Sequence, residues 1–507
     1  MLDPKHNPHA RPHVSEGGYL QMNRPSAVVI LAAGEGTRMR SSTPKVLHNI
    51  AGRSLLGHVI EAAATLEPEH LVVVVGHGRE QVIEHIAEIA PWALIVVQAE
   101  QFGTGHAVRV ALEDLDGRGA VFSDAPLVVL TGDTPLLSGS TLVQLVSAHA
   151  EAKAAASVLT TCLGDPYGYG RVIRDAAGGV HRIVEQKDAS PEELAVDEIN
   201  SGMYAFDLSK LRGVLGRVTA DNAQGELYLP DVIGLLRSDS MPVVASMCPD
   251  SSEVMGVNDR VQLAAAAAIM RDRINTRWMR DGVTIADPAT TWLDVDVDIE
   301  PDVLILPNTT LRGPTSIATG AQIGPGTTLV SCEVAEDATV THTWAELAVI
   351  GARSNVGPFT YLRPGTVLGA DTKAGAFVEI KNSTVGDSSK VPHLSYVGDA
   401  EIGTGSNIGA ATVFVNYDGV EKHRTVIGDH VRVGSDTMLI APVTIGDGAY
   451  TAAGSVITED VPPGAIGVGR SRQRNILDWV LRRRPGTASA KAASQAIKPV
   501  THAQEDK

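Results

Sequence analysis

The stretch Leu31-Ala32-Ala33-Gly34-Glu35-Gly36-Thr37-Arg38-Met39, followed by Pro44-Lys45, sets glycines, small residues and two cations directly after an apolar run. Glycines and small residues let backbone N–H groups approach phosphate oxygens, and a following helix N-terminus favours their charge. Arg38 and Lys45 would then neutralise the phosphates. Two other phosphate loops are excluded, because Met39 stands where a dinucleotide GxGxxG needs glycine and no GK[ST] follows. Asp133, in Leu130-Thr131-Gly132-Asp133-Thr134-Pro135, follows a second apolar run. Open α/β sheets place ligands there, so Asp133 reads as a carboxylate for Mg²⁺ on substrate phosphates, with a helix cap as the plain alternative. Farther along, Arg363 and Lys381 lie 18 residues apart and His393 stands in Pro392-His393-Leu394-Ser395-Tyr396. Two stacked cations are costly without an anion between them; ion pairs to Glu379 or Asp371 are the alternative. His393 is a candidate general base for a reaction in which an attacking amine loses its proton. A lone His here is more often structural or a metal ligand, but His342, His423 and His430 do not recur at coil spacing, which argues against a three-His zinc site.

Two kinds of element must position these residues. From Ala27 to about Asn258, short apolar runs (Ala27 to Leu31, Leu71 to Val75, Leu127 to Leu130) alternate with helical stretches. Such runs are what strands buried on both faces of a parallel sheet look like, so residues 26–258 read as a doubly wound, Rossmann-like α/β domain. Residues 259–280 are Ala-rich and free of Gly and Pro, which predicts a connecting helix. Over 281–470 an aliphatic residue, usually followed by Gly, recurs every six positions, as in Ile350-Gly351, Val356-Gly357, Leu362, Leu368-Gly369. That period predicts a parallel β-helix of hexapeptide repeats, three to a coil. Ser435 and Ala453, 18 apart, should stack along one face. The repeat slips between Val397 and Ile402, and the polar Asn416-Tyr417-Asp418-Gly419 predicts a loop leaving the prism. Residues 1–25, in which Met22 is an alternative start, and most of 471–507 read as disordered.

The pattern L-A-A-G-x-G-T-R-M with P-K-x-L resembles the signature of nucleotidyltransferases that activate sugar 1-phosphates. Over residues 27 to 470 the chain resembles the bacterial enzymes that join an N-acetylglucosamine-1-phosphate uridylyltransferase to a glucosamine-1-phosphate acetyltransferase. The resemblance implies left-handed coils and a homotrimer in which the Asn416 to Thr425 loop reaches a neighbour. It implies acetyl transfer from acetyl-CoA to glucosamine 1-phosphate, then uridylyl transfer from UTP to N-acetylglucosamine 1-phosphate, feeding peptidoglycan and other envelope polysaccharides. In the first half it assigns Leu31, Ala32, Ala33, Gly34 and Lys45 to the nucleotide and Gln98, Gly103 and Thr104 to the uracil. Gly170, Glu185 and Asn200 go to the acetamido sugar, and Asn258 joins Asp133 on Mg²⁺. Gln186 stands where many relatives carry His. In the second half Arg363 and Lys381 receive the sugar phosphate, Tyr396 and Asn407 the sugar, and Ala410, Asn416, Tyr417, Ser435, Ala453 and Arg470 the acetyl-CoA. Ala411 replaces a common Gly, and Arg470-Ser471-Arg472-Gln473 the commoner Arg-Val-Pro-Gln.

Composition is compatible with this and closes other classes. No run approaches the roughly 20 apolar residues that span a bilayer, so no membrane partner is expected. The net charge of −17 disfavours a nucleic-acid surface. Cys162, Cys248 and Cys332 are far apart, without CxxC spacing, which fits a reducing cytoplasm. Two rival readings are a single-activity nucleotidyltransferase whose β-helix only trimerises it, and a nucleotide-sensing regulatory subunit. Arg363, Lys381, His393 and Asn416-Tyr417 together argue against the first, Asp133 and Asn258 against the second.

Overall fold

The structure, a computed structural model, describes residues 24–497 and divides into two compact units, to Pro364 and from Gly365. The first unit opens with a nine-stranded sheet. The expected runs are its parallel centre: Ala27–Ala32 lies between His70–Val75 and Leu127–Thr131, with Leu94–Val97 beyond. Val29, Val72 and Val129 face one apolar cluster, and Val28, Ile30, Val73 and Leu130 face another. Both faces are buried, which is why these strands read as continuous apolar runs. The sheet is not parallel throughout, because Glu198–Phe206 runs antiparallel to both Leu127–Thr131 and Ala156–Cys162.

A 21-residue helix, Arg260–Arg280, occupies the stretch expected to connect the halves, and the Asp259 carboxylate caps it by accepting from the Val261 and Gln262 N–H groups. It leads into the first coils. Asn275 Nδ2 donates to Thr291 O at 3.0 Å, and the Arg271 guanidinium lies over the Trp292 ring at 4.9 Å. Leu293, Ile299, Ile305, Leu311, Ile317, Ile323 and Leu329 point inward at a strict period of six, each 3% exposed or less. Parallel pairs such as Trp292↔Thr310 and Asp298↔Ser316 stack one coil on the next across an 18-residue step.

The second unit continues this grammar on three parallel faces, the arrangement of a left-handed β-helix. Its coils are not uniformly 18 residues long: Glu379 pairs with Tyr396 and Tyr396 with Val413, steps of 17. Val413 then pairs with Met438 and Ile402 with Ile427, steps of 25. The extra residues form the expected loop, closed by a Tyr417↔Lys422 bridge and by a His423–Asp418 contact of 2.8 Å. The tail departs from expectation. Trp479–Arg483 and Ala488–Ile497 are helical, and Ala490 is buried. The predicted extension before residue 24 and the end of the tail lie outside the described residues. No helix among the described residues is long and apolar enough to cross a membrane.

Burial of polar groups makes the first unit acid-sensitive. His58, on the helix Leu55–Ala64, is 7% exposed and its Nε2 contacts Ile50 O at 2.9 Å. Burial, helped by the Arg53 charge, pushes its imidazole down to about 4 against the Ile50 bond and Asp296. The unfolded chain therefore takes up a proton, below about pH 6.5, that the folded chain refuses until about pH 4. Stability contributed by neutral His58, up to roughly 3 kcal/mol, is present above pH 6.5 and lost as pH falls toward 4. In His58→Gln the drop in unfolding midpoint between pH 7 and pH 5 should shrink; an unchanged drop would assign the titration elsewhere.

Candidate functional site

The first site is built at the carboxyl ends of the central strands. Gly36 follows the first strand with φ +65°, and a Cβ there would sit 2.6 Å from Lys45 Cβ. Only glycine satisfies both demands at this turn. Lys45 opens a short 3₁₀ turn after Pro44, and its ammonium lies 2.5 Å from Asp133 Oδ2 and 3.2 Å from Asn258 Oδ1. Asp133 and Asn258 are brought together by backbone, since Val257 N donates to Asp133 O at 2.9 Å. Asn258 N in turn donates to Gln262 Oε1 at 2.7 Å. The Lys45 and Asp133 side chains are only 13% and 20% exposed. Arg38 is exposed and forms no ion pair among the described residues.

Gln98 lines an open cleft of about 570 Å³ together with Glu35, Gly76, His77 and Gln101. Its Nε2 donates to Gly103 O at 3.2 Å and lies 3.0 Å from His106 Nδ1. Gly103 caps the helix Thr104–Gly117, and Thr104 Oγ1 accepts from Leu229 N at 3.0 Å. Gln101, which sequence reasoning missed, ties its Nε2 to Ala33 O at 2.7 Å and so braces the glycine loop. Gly170 and Glu185 are brought together: a Cβ at Gly170 would lie 3.0 Å from Glu185 Oε1. Burial, with Asp188 and Asp231 nearby, raises the Glu185 carboxyl above its ordinary range. Asn200 is buried, and its Oδ1 accepts from Tyr204 Oη at 2.9 Å and Gly202 N at 3.1 Å. Gln186 holds the loop before Gly170, with Oε1 accepting from Gly168 N at 3.1 Å and Arg171 Nη2 at 3.0 Å.

In the second unit most of the expected residues gather at two corners of the prism. One is a column. Ala411 N donates to His393 O, Asp436 N to Ala410 O and Gly454 N to Ser435 O, at 3.2, 2.7 and 2.8 Å. His393, Ala410, Ser435 and Ala453 thus succeed one another coil by coil, about 4.8 Å apart. Arg470 reaches the end of this column, its Cδ 3.9 Å from where a Cβ of Gly454 would stand. Each of the four precedes a left-handed corner residue, Leu394, Ala411, Asp436 or Gly454. Ala411 has φ +59°, a corner that glycine would occupy freely and that alanine accepts at a cost of about 1 kcal/mol. The His393 imidazole is exposed.

The other corner gathers Lys381, Tyr396 and Asn416 around a residue that sequence reasoning missed, Asp399. Lys381 Nζ lies 3.4 Å and Asn416 Nδ2 2.5 Å from Asp399 Oδ2, and Asn382 Nδ2 donates to Oδ1 at 2.7 Å. Lys381 thus pairs with Asp399, a partner that the spacing of 18 residues from Lys381 could have flagged. Burial opposes ionisation of Asp399, but the bonds from Asn382 and Asn416 and the Lys381 charge outweigh it and hold the carboxyl low. A Cβ on Gly398 would meet Tyr396 Oη at 2.5 Å and Asn416 Nδ2 at 2.8 Å, so glycine makes room for both. Asn407 pairs with Lys390 and Arg432 on the strand that precedes the Ala410 corner. Tyr417 is exposed, its Oη donating to Gly419 O at 2.6 Å. Arg363 belongs to the first unit, where its guanidinium lies 5.9 Å from the Tyr361 ring centroid.

Comparison with known proteins finds a family match in each half of the chain. Residues 28–187 match the MobA-like NTP transferase domain, and residues 424–459 match the bacterial transferase hexapeptide of six repeats. The bifunctional protein GlmU of Streptomyces avermitilis is 58% identical over 474 residues, covering 93% of this chain and 98% of its own. The protein of that name in Thermobifida fusca is 59% identical, over 94% and 98%, and that in Corynebacterium glutamicum 55% identical, over 93% and 97%. The chain belongs to the bifunctional GlmU family. Like its relatives in that family, it joins a nucleotidyltransferase half to a hexapeptide acetyltransferase half.

The Gly36 contact makes the first site sensitive to one methyl group. Gly36→Ala should displace Lys45 and lower uridylyl transfer by about 10²-fold, the scale of an ångström-sized misplacement, with acetyl transfer unchanged. Uridylyl transfer at the parent rate in a nucleotide-release assay would show that the loop absorbs the methyl group.

Proposed function

We propose that the chain makes UDP-N-acetylglucosamine by acetyl transfer from acetyl-CoA to glucosamine 1-phosphate, followed by uridylyl transfer from UTP to N-acetylglucosamine 1-phosphate with release of pyrophosphate. The observation that carries the second step is the convergence of Asp133 and Asn258 on the Lys45 ammonium at the ends of the central strands. Two oxygen donors already holding a cation are the donor set that a hard divalent ion accepts alongside substrate phosphates. Among the described residues no cluster of three or more His, Cys, Asp or Glu stands ready for a metal, so Mg²⁺ here would rely on Asp133, Asn258 and the phosphates. Bound there, Mg²⁺ supplies charge stabilisation of the phosphate oxygens and the leaving pyrophosphate.

The chain's own residues position the reactants. Leu31, Ala32, Ala33 and Gly34 carry the nucleotide past the glycine loop, while Gln98, Gly103 and Thr104 meet the uracil. Gly170, Glu185 and Asn200 hold the acetamido sugar. The sugar-phosphate oxygen is already anionic near neutral pH, so attack on the α-phosphorus needs alignment and no base. Arg38 and Lys45 neutralise the phosphates as they separate.

In the acetyltransferase half His393 accepts the proton that the substrate amine loses on attacking the thioester. Lys381 and Arg363 take the sugar phosphate, Tyr396 and Asn407 the ring, and Ala410, Ser435 and Ala453 form the track for acetyl-CoA, with Asn416, Tyr417 and Arg470 at its sides. His393 and Lys381 stand on the two corners that bound one face of the prism, which supports a homotrimer whose neighbouring prism and Asn416 to Thr425 loop complete the site. UTP and acetyl-CoA as substrates, and three unpaired cysteines, support a cytoplasmic location and a place in envelope-polysaccharide synthesis.

Two outcomes test this reading. EDTA should stop uridylyl transfer and leave acetyl transfer nearly intact, measured as pyrophosphate and free thiol released; equal loss of both would indicate a structural metal. His393→Ala should lower acetyl transfer by roughly 10²–10⁴-fold, the usual contribution of a general base, and leave uridylyl transfer alone. Acetylation at the parent rate in that variant would remove His393 from the role of base.

A further inference from the structure

Lys381 is held by a buried anion before any substrate arrives. Asp399 has a side chain only 14% exposed, and its two oxygens collect three donors from the coils on either side: Lys381 and Asn382 from the one before, Asn416 from the one after. We propose that Asp399 is a positioning residue of the acetyltransferase site, setting the Lys381 ammonium to receive the phosphate of an amino-sugar 1-phosphate while the Asn416 amide pins its carboxylate. The inference rests on the reading that Lys381 meets that phosphate.

The geometry argues for orientation over neutralisation. The Asn416 bond to Oδ2 is 2.5 Å, while the Lys381 contact to the same oxygen is 3.4 Å. The ammonium has three N–H donors and gives Asp399 at most one, so two remain to meet an anion. Its flexible four-carbon stem would otherwise let the charge wander, and fixing it removes an entropy cost that binding would carry. Asn382 secures the second oxygen at 2.7 Å, so the carboxylate is itself fixed. Asp399 is also the corner residue, φ +51°, from which the Asn416 loop is tethered by Thr425 N donating to Asp399 O at 3.2 Å. Tyr396 Oη joins the same cluster through the space that Gly398 leaves open. One carboxylate therefore couples a phosphate-binding cation to the loop that follows it.

A role in positioning predicts a loss specific to the phosphorylated sugar, whereas a structural role lowers turnover of every acceptor alike. Acetyl transfer from acetyl-CoA would be measured on the full chain with glucosamine 1-phosphate and with glucosamine, for the parent, Asp399→Asn, Lys381→Ala and the double variant, alongside thermal unfolding midpoints. Asp399→Asn should raise KM for glucosamine 1-phosphate about 10–100-fold, the range of a lost charge-assisted interaction. The kcat/KM preference for the phosphorylated sugar should shrink by the same factor, with an unchanged midpoint, and the double variant should be no worse than Lys381→Ala. An equal loss on both sugars, or additive losses in the double variant, would overturn the inference. Should Lys381→Ala lose its phosphate preference while Asp399→Asn keeps it, the Asp399 role alone fails. Should Lys381→Ala keep that preference, the assignment of Lys381 to the phosphate fails first and takes this inference with it.

Discussion

A coil that closes on three flat faces leaves little freedom for chemistry except at its corners. Its interior is filled by one aliphatic side chain per face, as from Leu293 to Leu329, and its backbone is committed to the coils above and below. Outward side chains along a flat face have no concave surface in which to converge. The corners differ, because there the chain passes through a left-handed residue and the preceding side chain stands at an edge. His393, Ala410, Ser435 and Ala453 all precede such a residue, and so does Lys381 before Asn382. Stacking then multiplies one position into a column, which suits a long cofactor better than a pocket would.

The α/β half solves the same problem with strand ends. Parallel strands bury their side chains on both faces, so the usable surface is the line of turns at their carboxyl ends. Gly36, Asp133 and Asn258 come from turns far apart in sequence, and the bond from Val257 N to Asp133 O joins two of them. In both halves a lysine ammonium rests against a carboxylate that is mostly buried, Lys45 on Asp133 and Lys381 on Asp399. Unpaired, either ion would be expensive to hold away from water. Paired, each ammonium still has an N–H left over for a phosphate.

How much was legible depended on whether the signal was local. The apolar runs of the parallel centre and the inward period of six stand in the sequence, because burial dictates them residue by residue. The antiparallel strand Glu198–Phe206 did not show, since its mixed composition carries the buried polar residues Glu198, Asn200 and Ser201, which break the apolar run. Coils of 16, 17 and 25 residues blurred the spacing rule: Thr328 pairs with Trp344 across 16. Asp399 was missed because a lone Asp at a turn is unremarkable until Lys381, Asn382 and Asn416 are seen around it. The tail read as low-complexity, yet Ala488–Ile497 is helical, as its run of alanines permits.

The claim on which the acetyltransferase account turns is that the stacked corner column is the cofactor track. A crystal structure of the full chain with acetyl-CoA and glucosamine 1-phosphate tests it most directly. The account predicts the thioester beside the His393 imidazole, the pantetheine running past Ala410, Ser435 and Ala453, and the nucleotide end near Arg470. Density for the cofactor on another corner or face, away from His393, would contradict it.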